Sequence, residues 1–333
     1  MIKEHLFSLL LTLVVSQFVF AQQSEHPGVA LYKAGKYAEA ASALQISLTS
    51  DKTHRSDAGI WNYLGLSHLA LQDFKSARKA FEKAVDLSPT TANYHINLGY
   101  AWLMMRNIGK AKGEANRAIQ TDPANVSAHY LRASARLIEG DLDDAKKDAD
   151  RVLDLDPTFS QGYVLQSEIM MARFSNATMG DGIEDIRNNL AYLSEARDVL
   201  RSGLEKAADR NSIEKELNGI DAFYDYLSKE PPVPSTQPSA DHEPGVTPLK
   251  VLAKPPARYT DRARQANIQG FIRIAVLFGA TGRIEHLLVL KRLGHGLDEE
   301  AMAAARRIKF EPKQKDGTPV STVKVLEYHF SIY

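Results

Sequence analysis

The sequence predicts two domains of different class: an all-α solenoid of repeated helix hairpins, followed by a small α+β domain with a three-stranded antiparallel sheet. Three observations support this prediction. A motif recurs with a period of 34 residues, a proline-rich stretch follows the last helical pattern, and the apolar residues after that stretch alternate with the period of a strand. A chain of 333 residues is also too long for one ordinary core.

The first residues predict a secretory signal peptide over residues 1–21. Lys3 precedes an apolar run from Leu6 to Phe20, and Ala21 completes a small-residue cleavage site. This run is shorter than the ~20 residues that a membrane-spanning helix needs. We therefore expect a cleaved signal and a periplasmic protein, with an uncleaved inner-membrane anchor facing the periplasm as the alternative. The chain has no cysteine, which excludes disulfides and thiolate metal sites.

Three units of the repeat follow one another, and each has the pattern of a helix hairpin. Pro89, Pro123 and Pro157 close the units at identical spacing. Within each unit, apolar residues recur at helical spacing over two segments with a break between them. We assign helical repeats to residues 22–180, including a weaker first copy, and a capping helix hairpin to residues 181–229, because the terminal units of a solenoid are usually atypical.

The best copy of the repeat resembles the tetratricopeptide repeat. The signature positions are occupied by Trp61, Leu64, Gly65, Ala77, Phe81, Ala84 and Pro89. The resemblance implies an array that binds extended segments or helices of other proteins in a concave groove. By family position, the groove-facing candidates are Asn62, Asn93, Tyr100, Tyr130 and Ser134. Nothing in the array suggests a catalytic, cofactor or metal site.

Residues 230–249 are rich in proline and predict a semi-rigid linker. In an extended polyproline conformation the linker would span on the order of 50 Å, enough to separate two domains. The chain has 41 basic and 41 acidic residues, so its overall charge gives no attraction to nucleic acid. The charges are nevertheless unevenly distributed, with a net +7 over residues 247–333 and −7 over residues 22–246. We expect the basic C-terminal part to favour acidic segments or anionic surfaces.

The C-terminal domain, residues 250–333, has the order strand, strand, helix, strand. One face of the first strand is formed by Ile272, Ile274, Val276 and Phe278. A glycine turn leads to a second strand beginning at Ile284, and a helix follows from about Leu297 to Arg307. In the last strand, Leu326, Tyr328, Phe330 and Ile332 share one face while Val323 and Val325 lie on the other. This change of phase predicts a bulge or a change of burial near Val325.

Residues Pro256 to Ile332 resemble the C-terminal domain of TonB, the periplasmic energy-transducing protein. The resemblance is carried by ARYTDRARQANIQGFIRIAVLF, GRIEHLLVL, GLDEEAMAAARRIKFEP and the last strand. One departure is Thr260, where the family usually has proline. The resemblance implies that a short peptide from an outer-membrane transporter pairs with an edge strand, which is Val323 to Ser331 in this chain. The partner-binding residues so implied are Val323, Val325, Glu327, Tyr328, His329 and Phe330.

Together these features predict a non-enzymatic periplasmic protein, a TonB-like adaptor or energy transducer. Its C-terminal domain would contact outer-membrane transporters, and its repeats would bind a second protein. A structural scaffold of cell-envelope assembly, without a role in transport, is the alternative.

A third hypothesis is an enzyme. It would require His295 to converge with Asp298, Glu299 and Glu300 on a pocket. The chain has no GxSxG, HExxH or phosphate-loop motif. The acids are adequately explained as the first turn of a helix, where the helix dipole favours negative charge. We therefore predict no catalytic residue, cofactor or metal.

Overall fold

The computed structural model describes residues 25–178, 187–229 and 245–332. The predicted signal peptide and residues 230–244 of the predicted linker lie outside the described residues. Two compact units divide the chain after Ala101. Of the helices in the described ranges, none is both long and apolar enough to cross a membrane.

Twelve helices are described between residues 27 and 229. The first unit contains α1 (Pro27–Lys33), α2 (Tyr37–Ser50), α3 (Lys52–Arg55), α4 (Ala58–Ala70), α5 (Phe74–Leu87) and most of α6 (Ala92–Met104). The second unit contains α7 (Ile108–Thr121), α8 (Val126–Glu139), α9 (Leu142–Leu155), α10 (Ser160–Ala177), α11 (Leu190–Lys206) and α12 (Asn211–Lys229). Described helices lie in both predicted helical segments of the chain, on either side of residues 179–186.

Side-chain caps and small residues produce the helix hairpins. The Asp73 carboxylate accepts a hydrogen bond from the Ser76 N–H at the start of α5, which satisfies one of the free donors of a helix N-terminus. Gly65 on α4 faces Phe81 on α5, and a Cβ added at Gly65 would lie 2.5 Å from the Phe81 ring. The two helices therefore approach more closely than any larger residue would allow.

The C-terminal domain contains eight described strands and two described helices. The strands are β1 (Val246–Thr247), β2 (Lys250–Ala253), β3 (Gly270–Phe278), β4 (Ile284–Lys291), β5 (Lys309–Glu311), β6 (Lys313–Lys315), β7 (Thr318–Val320) and β8 (Thr322–Phe330); the helices are α13 (Asp261–Gln265) and α14 (Leu297–Ala305). The main sheet has the antiparallel order β4-β3-β8, and β1-β6-β7 and β2-β5 form smaller sheets. The predicted fold class, helical repeats followed by an α+β domain with a three-stranded antiparallel sheet, is confirmed.

Both faces of the main sheet contain buried apolar residues. The face packed with α14, here called the helix face, contains Ile272, Ile274, Val276, Phe278, Val289, Tyr328 and Phe330. The opposite face, here called the repeat face, contains Ala275, Leu277, Leu288, Leu290, Val323 and Val325, which share a core with α10 and α12. β8 pairs with β3 without a register shift. The phase change at Val325 is therefore a change of burial, and the β3–β8 pairing contains no bulge.

Candidate partner-binding surfaces

The outer edge of β8 is the candidate partner surface of the C-terminal domain. β8 ends the strand order of the main sheet, and within the described residues no strand pairs with its outer side. Lys254 Nζ donates to the carbonyl oxygen of Glu327 at 2.5 Å, which places that carbonyl on the outer side. Because alternate residues of an antiparallel strand direct their backbone groups to opposite sides, the N–H and C=O groups of Val323, Val325 and His329 also lie on this edge.

Two side chains from outside the strand already occupy parts of this edge. Lys254 holds the Glu327 carbonyl, and the Tyr226 hydroxyl from the end of α12 donates to the carbonyl of Ser321 at 2.6 Å, just before β8 begins. Neither residue was found by sequence reasoning, because each contact joins positions far apart in the chain. An incoming peptide strand therefore meets an edge whose acceptors are partly in use.

The six predicted pairing residues lie in three different environments. The side chains of Val323 and Val325 are buried in the repeat face, and those of Tyr328 and Phe330 are buried in the helix face. Only Glu327 and His329 are exposed. Recognition at this edge would therefore depend chiefly on the backbone, with these two exposed side chains as the available polar groups.

A row of exposed and half-exposed side chains crosses the sheet beside this edge. His329 Nε2 lies 3.2 Å from the Glu327 carboxylate, and the ring centres of His329 and Phe271 are 5.6 Å apart. Lys291 Nζ lies 3.6 Å from the centre of the Phe271 ring. A strand added to β8 would place its side chains next to His329, at one end of this row.

Lys254 is held over β8 by more than one contact. Its ammonium lies 4.7 Å from the centre of the Tyr328 ring. Burial lowers the pKa of Lys254, while the charge of Glu327 opposes that change. Burial also raises the pKa of Tyr328 to about 12, and its buried hydroxyl has no hydrogen-bond partner among the described residues. Tyr328 therefore contributes its ring to the contact and stays neutral.

The histidine and acids that suggested a possible catalytic cluster have separate structural roles. The Asp298 carboxylate accepts hydrogen bonds from the N–H groups of Leu293 and Gly294. His295 Nε2 donates to the Met104 carbonyl at 3.2 Å. The Glu300 carboxylate lies 3.0 Å from the Arg258 guanidinium. Burial raises the pKa of Asp298, although the two N–H donors oppose that shift. Burial lowers the pKa of His295. These residues do not converge on one reacting position, and the acids lie in the first turn of α14.

Thr260 lies where the family that this domain resembles usually has proline, and its side chain has a local structural role. Its side chain accepts from the Ala263 N–H at the start of α13 and donates to the carbonyl of His295 at 2.7 Å. His295, Gly294 and Gly296 all have positive φ angles of 56°, 73° and 79°. Thr260 therefore ties the strained turn before α14 to the beginning of α13.

The predicted groove residues of the first unit differ in their surroundings. Asn62 Oδ1 accepts from Asn97 Nδ2 at 2.8 Å, which links two helices of the array. Asn93 is exposed and Tyr100 is half-buried. A role for these residues in partner binding stays a prediction.

The predicted groove residues of the second unit contact each other. Ser134 Oγ donates to the carbonyl of Tyr130 at 2.9 Å, and the Tyr130 ring meets the Phe159 ring edge-on with centres 5.5 Å apart. Burial and the nearby Glu168 carboxylate raise the pKa of Tyr130. Tyr130 is thus half-buried and neutral, and its place in a groove also stays a prediction.

Residues 255–332 match the family described as Gram-negative bacterial TonB protein C-terminal, and residues 28–92 and 96–158 match the tetratricopeptide repeat family. No curated protein gives a significant match. Both matched families are non-catalytic interaction modules.

Several solved structures are similar to part of this chain. A thermophilic TPR protein of Thermus thermophilus is 19% identical, with 60% of this chain and 95% of that chain covered at a TM-score of 0.43. MamA from Desulfovibrio magneticus RS-1 is 18% identical, with coverages of 53% and 92% and a TM-score of 0.43. The first TPR of Spaghetti, bound to an HSP90 peptide, is 23% identical, with coverages of 35% and 92% and a TM-score of 0.34. From the family matches, the chain carries tetratricopeptide repeats followed by a TonB C-terminal domain.

Proposed function

We propose that this protein is a periplasmic adaptor of the TonB type. Its C-terminal domain binds outer-membrane transporters, and its repeats bind a second protein. The observation that supports this function best is the outer edge of β8, where Val323, Val325, Glu327 and His329 direct their backbone groups away from β3. Such an edge binds an extended peptide by adding it as a strand. The net +7 charge of residues 247–333 adds attraction to acidic segments.

The periplasmic location is supported by the N-terminal apolar run and by the match to a domain of Gram-negative bacteria. Mass spectrometry of the protein purified from its own cells identifies the first residue of the mature chain. A start at Gln22 supports the cleaved periplasmic adaptor. A start at Met1 contradicts cleavage and supports an anchored energy transducer.

The partner is tested by photo-crosslinking in cells with p-benzoylphenylalanine in place of His329. We expect covalent adducts in which mass spectrometry identifies an outer-membrane transporter. Adding Glu327→Pro removes an N–H on the outer edge of β8, which the main sheet does not use, and should abolish the adducts. The matched variant Glu327→Ala keeps that N–H and should retain them. Adducts only with envelope-assembly proteins would contradict the adaptor and support the scaffold.

A further inference from the structure

The repeat face of the main sheet packs against the last described helices of the repeat array. Both partners lie within the second compact unit. The apolar residues of the repeat face share one buried cluster with Met170, Met171 and Phe174 of α10 and with Phe223 and Leu227 of α12. All of these side chains are less than 9% exposed. The C-terminal domain alone would present this apolar face to water, which is unfavourable in proportion to its area.

Arg273 is a charged residue buried in this interface. It interrupts the otherwise apolar β3, and only 7% of it is exposed. Its two terminal nitrogens donate to the carbonyls of Ser175 at 3.2 Å and Thr178 at 3.0 Å. These carbonyls lie at the C-terminal end of α10, where the helix has free acceptors and partial negative charge. The repeat array therefore accepts hydrogen bonds from both terminal nitrogens of the buried guanidinium, while Arg273 Nε lies 3.8 Å from the Glu327 carboxylate of the sheet.

Polar contacts join the two domains around this apolar centre. Arg292, just after β4, lies 2.7 Å from the Glu216 carboxylate on α12 and 3.9 Å from that of Glu168 on α10. Tyr226 donates to the Ser321 carbonyl just before β8, and His295 contacts the end of α6 at the Met104 carbonyl. Directional contacts at separate places fix one relative position, which an apolar patch alone would not do.

We infer that the repeats carry the C-terminal domain as a docked module and that the repeat face is the surface that binds it. The residues between Lys229 and Gly245 then connect two domains that already share a core, instead of holding them apart. The inference goes beyond the proposed function, because it concerns how the TonB-type domain is held and applies whichever partner binds at β8.

The test uses the full chain with a protease recognition sequence inserted between residues 230 and 244. After cleavage, size-exclusion chromatography with light scattering measures whether the two parts stay together. We expect them to elute as one species with the mass of the uncut protein. Leu277→Asp, which places a charge in the shared core, should separate them. If the unsubstituted parts elute apart while each keeps its circular dichroism spectrum, the inference is overturned.

A charge exchange between Arg292 and Glu216 tests the docked geometry. Arg292 is exposed and Glu216 is half-buried, so their replacement should leave each domain folded. Arg292→Glu places a third carboxylate beside Glu216 and Glu168, and should weaken association of the cleaved parts by about tenfold or more. Combining it with Glu216→Arg should restore much of that loss. Arg283→Glu, on the exposed β3–β4 turn, is the matched control and should leave association unchanged. A double variant that associates no better than Arg292→Glu contradicts the docked arrangement.

Discussion

The two faces of the main sheet both contain buried residues, but the elements that cover those residues come from different parts of the chain. The helix face is covered by α14 of the same domain, and its residues are apolar except for the Tyr328 hydroxyl. The repeat face is covered by α10 and α12, and it includes the buried Arg273. One face therefore makes the domain fold, whereas the other positions the folded domain. Polar contacts suit the second task because they favour a single docking geometry.

The largest expected effect comes from the helix face. Phe278 is fully buried and meets the Phe310 ring edge-on, with ring centres 4.8 Å apart. Phe278→Ala should cost about 3–5 kcal/mol of unfolding free energy, because it removes a large side chain from a closed core. Urea denaturation followed by circular dichroism measures this loss. Phe271→Ala, on the same strand but half-exposed, is the control, and an equal loss there would contradict the distinction.

A smaller effect is expected on the repeat face, where a substitution should weaken the contact between the domains and leave the C-terminal domain folded. Arg273→Met leaves the carbonyls of Ser175 and Thr178 without their donor, which should cost about 1–3 kcal/mol. We expect the contact between the domains to loosen while the C-terminal domain stays folded. Hydrogen exchange should then become faster at the end of α10 and on β3, with α14 unchanged. Arg283→Met is the matched control, and faster exchange throughout α14 would show that Arg273 supports the fold itself.

The helix face could be predicted from the sequence because its pattern is local. Ile272, Ile274, Val276 and Phe278 alternate within one segment, and the glycine turn and following strand define the antiparallel pairing. The repeat hairpins were predictable for the same reason, since Gly65 and Phe81 belong to one repeat.

The repeat face could be predicted only in part. The change of phase at Val323 and Val325 predicted a bulge or a change of burial, and Arg273 is a charged residue in an otherwise apolar strand. Neither feature identifies the residues that cover the repeat face, because Arg273 and Ser175 are 98 positions apart in the sequence. The β8 edge came from a family resemblance, and the residue that occupies it, Lys254, carries no local signal.

The ionisable cluster at the border of the repeat face predicts a pH dependence of docking. The Glu168 carboxyl faces Arg292 after β4, Glu216 on α12, Asp298 on α14 and Tyr130 on α8. Burial raises the pKa of Glu168 from 4.5 to about 7, against the opposing charge of Arg292. The docked protein therefore binds a proton that an exposed carboxyl would have released. The contribution of protonated Glu168 to the free energy of docking is fully present below pH 4.5 and is lost as the pH rises through about 7.

The full pKa shift of Glu168 corresponds to about 3 kcal/mol of docking free energy. Because a third of the Glu168 side chain remains exposed to solvent, we expect a contribution of roughly 1 kcal/mol. Association of the cleaved parts should then be about fivefold weaker at pH 8 than at pH 5. Glu168→Gln should flatten this dependence, because the amide does not titrate. Glu195→Gln, on an exposed position of α11, should keep it. An unchanged slope in Glu168→Gln would assign the pH dependence to another group.

The smallest expected effect lies at the β8 edge, outside both buried faces, and rests on the proposed strand addition. Lys254→Ala removes the donor to the Glu327 carbonyl and the contact with the Tyr328 ring, and should cost less than about 1 kcal/mol of stability. Because the carbonyl becomes available, a transporter peptide should bind up to about fivefold more tightly, as measured by fluorescence anisotropy. Lys250→Ala, which removes an exposed ion pair with Glu311, is the control and should not change binding. Weaker binding in Lys254→Ala would mean that this lysine contacts the peptide instead of occupying its place.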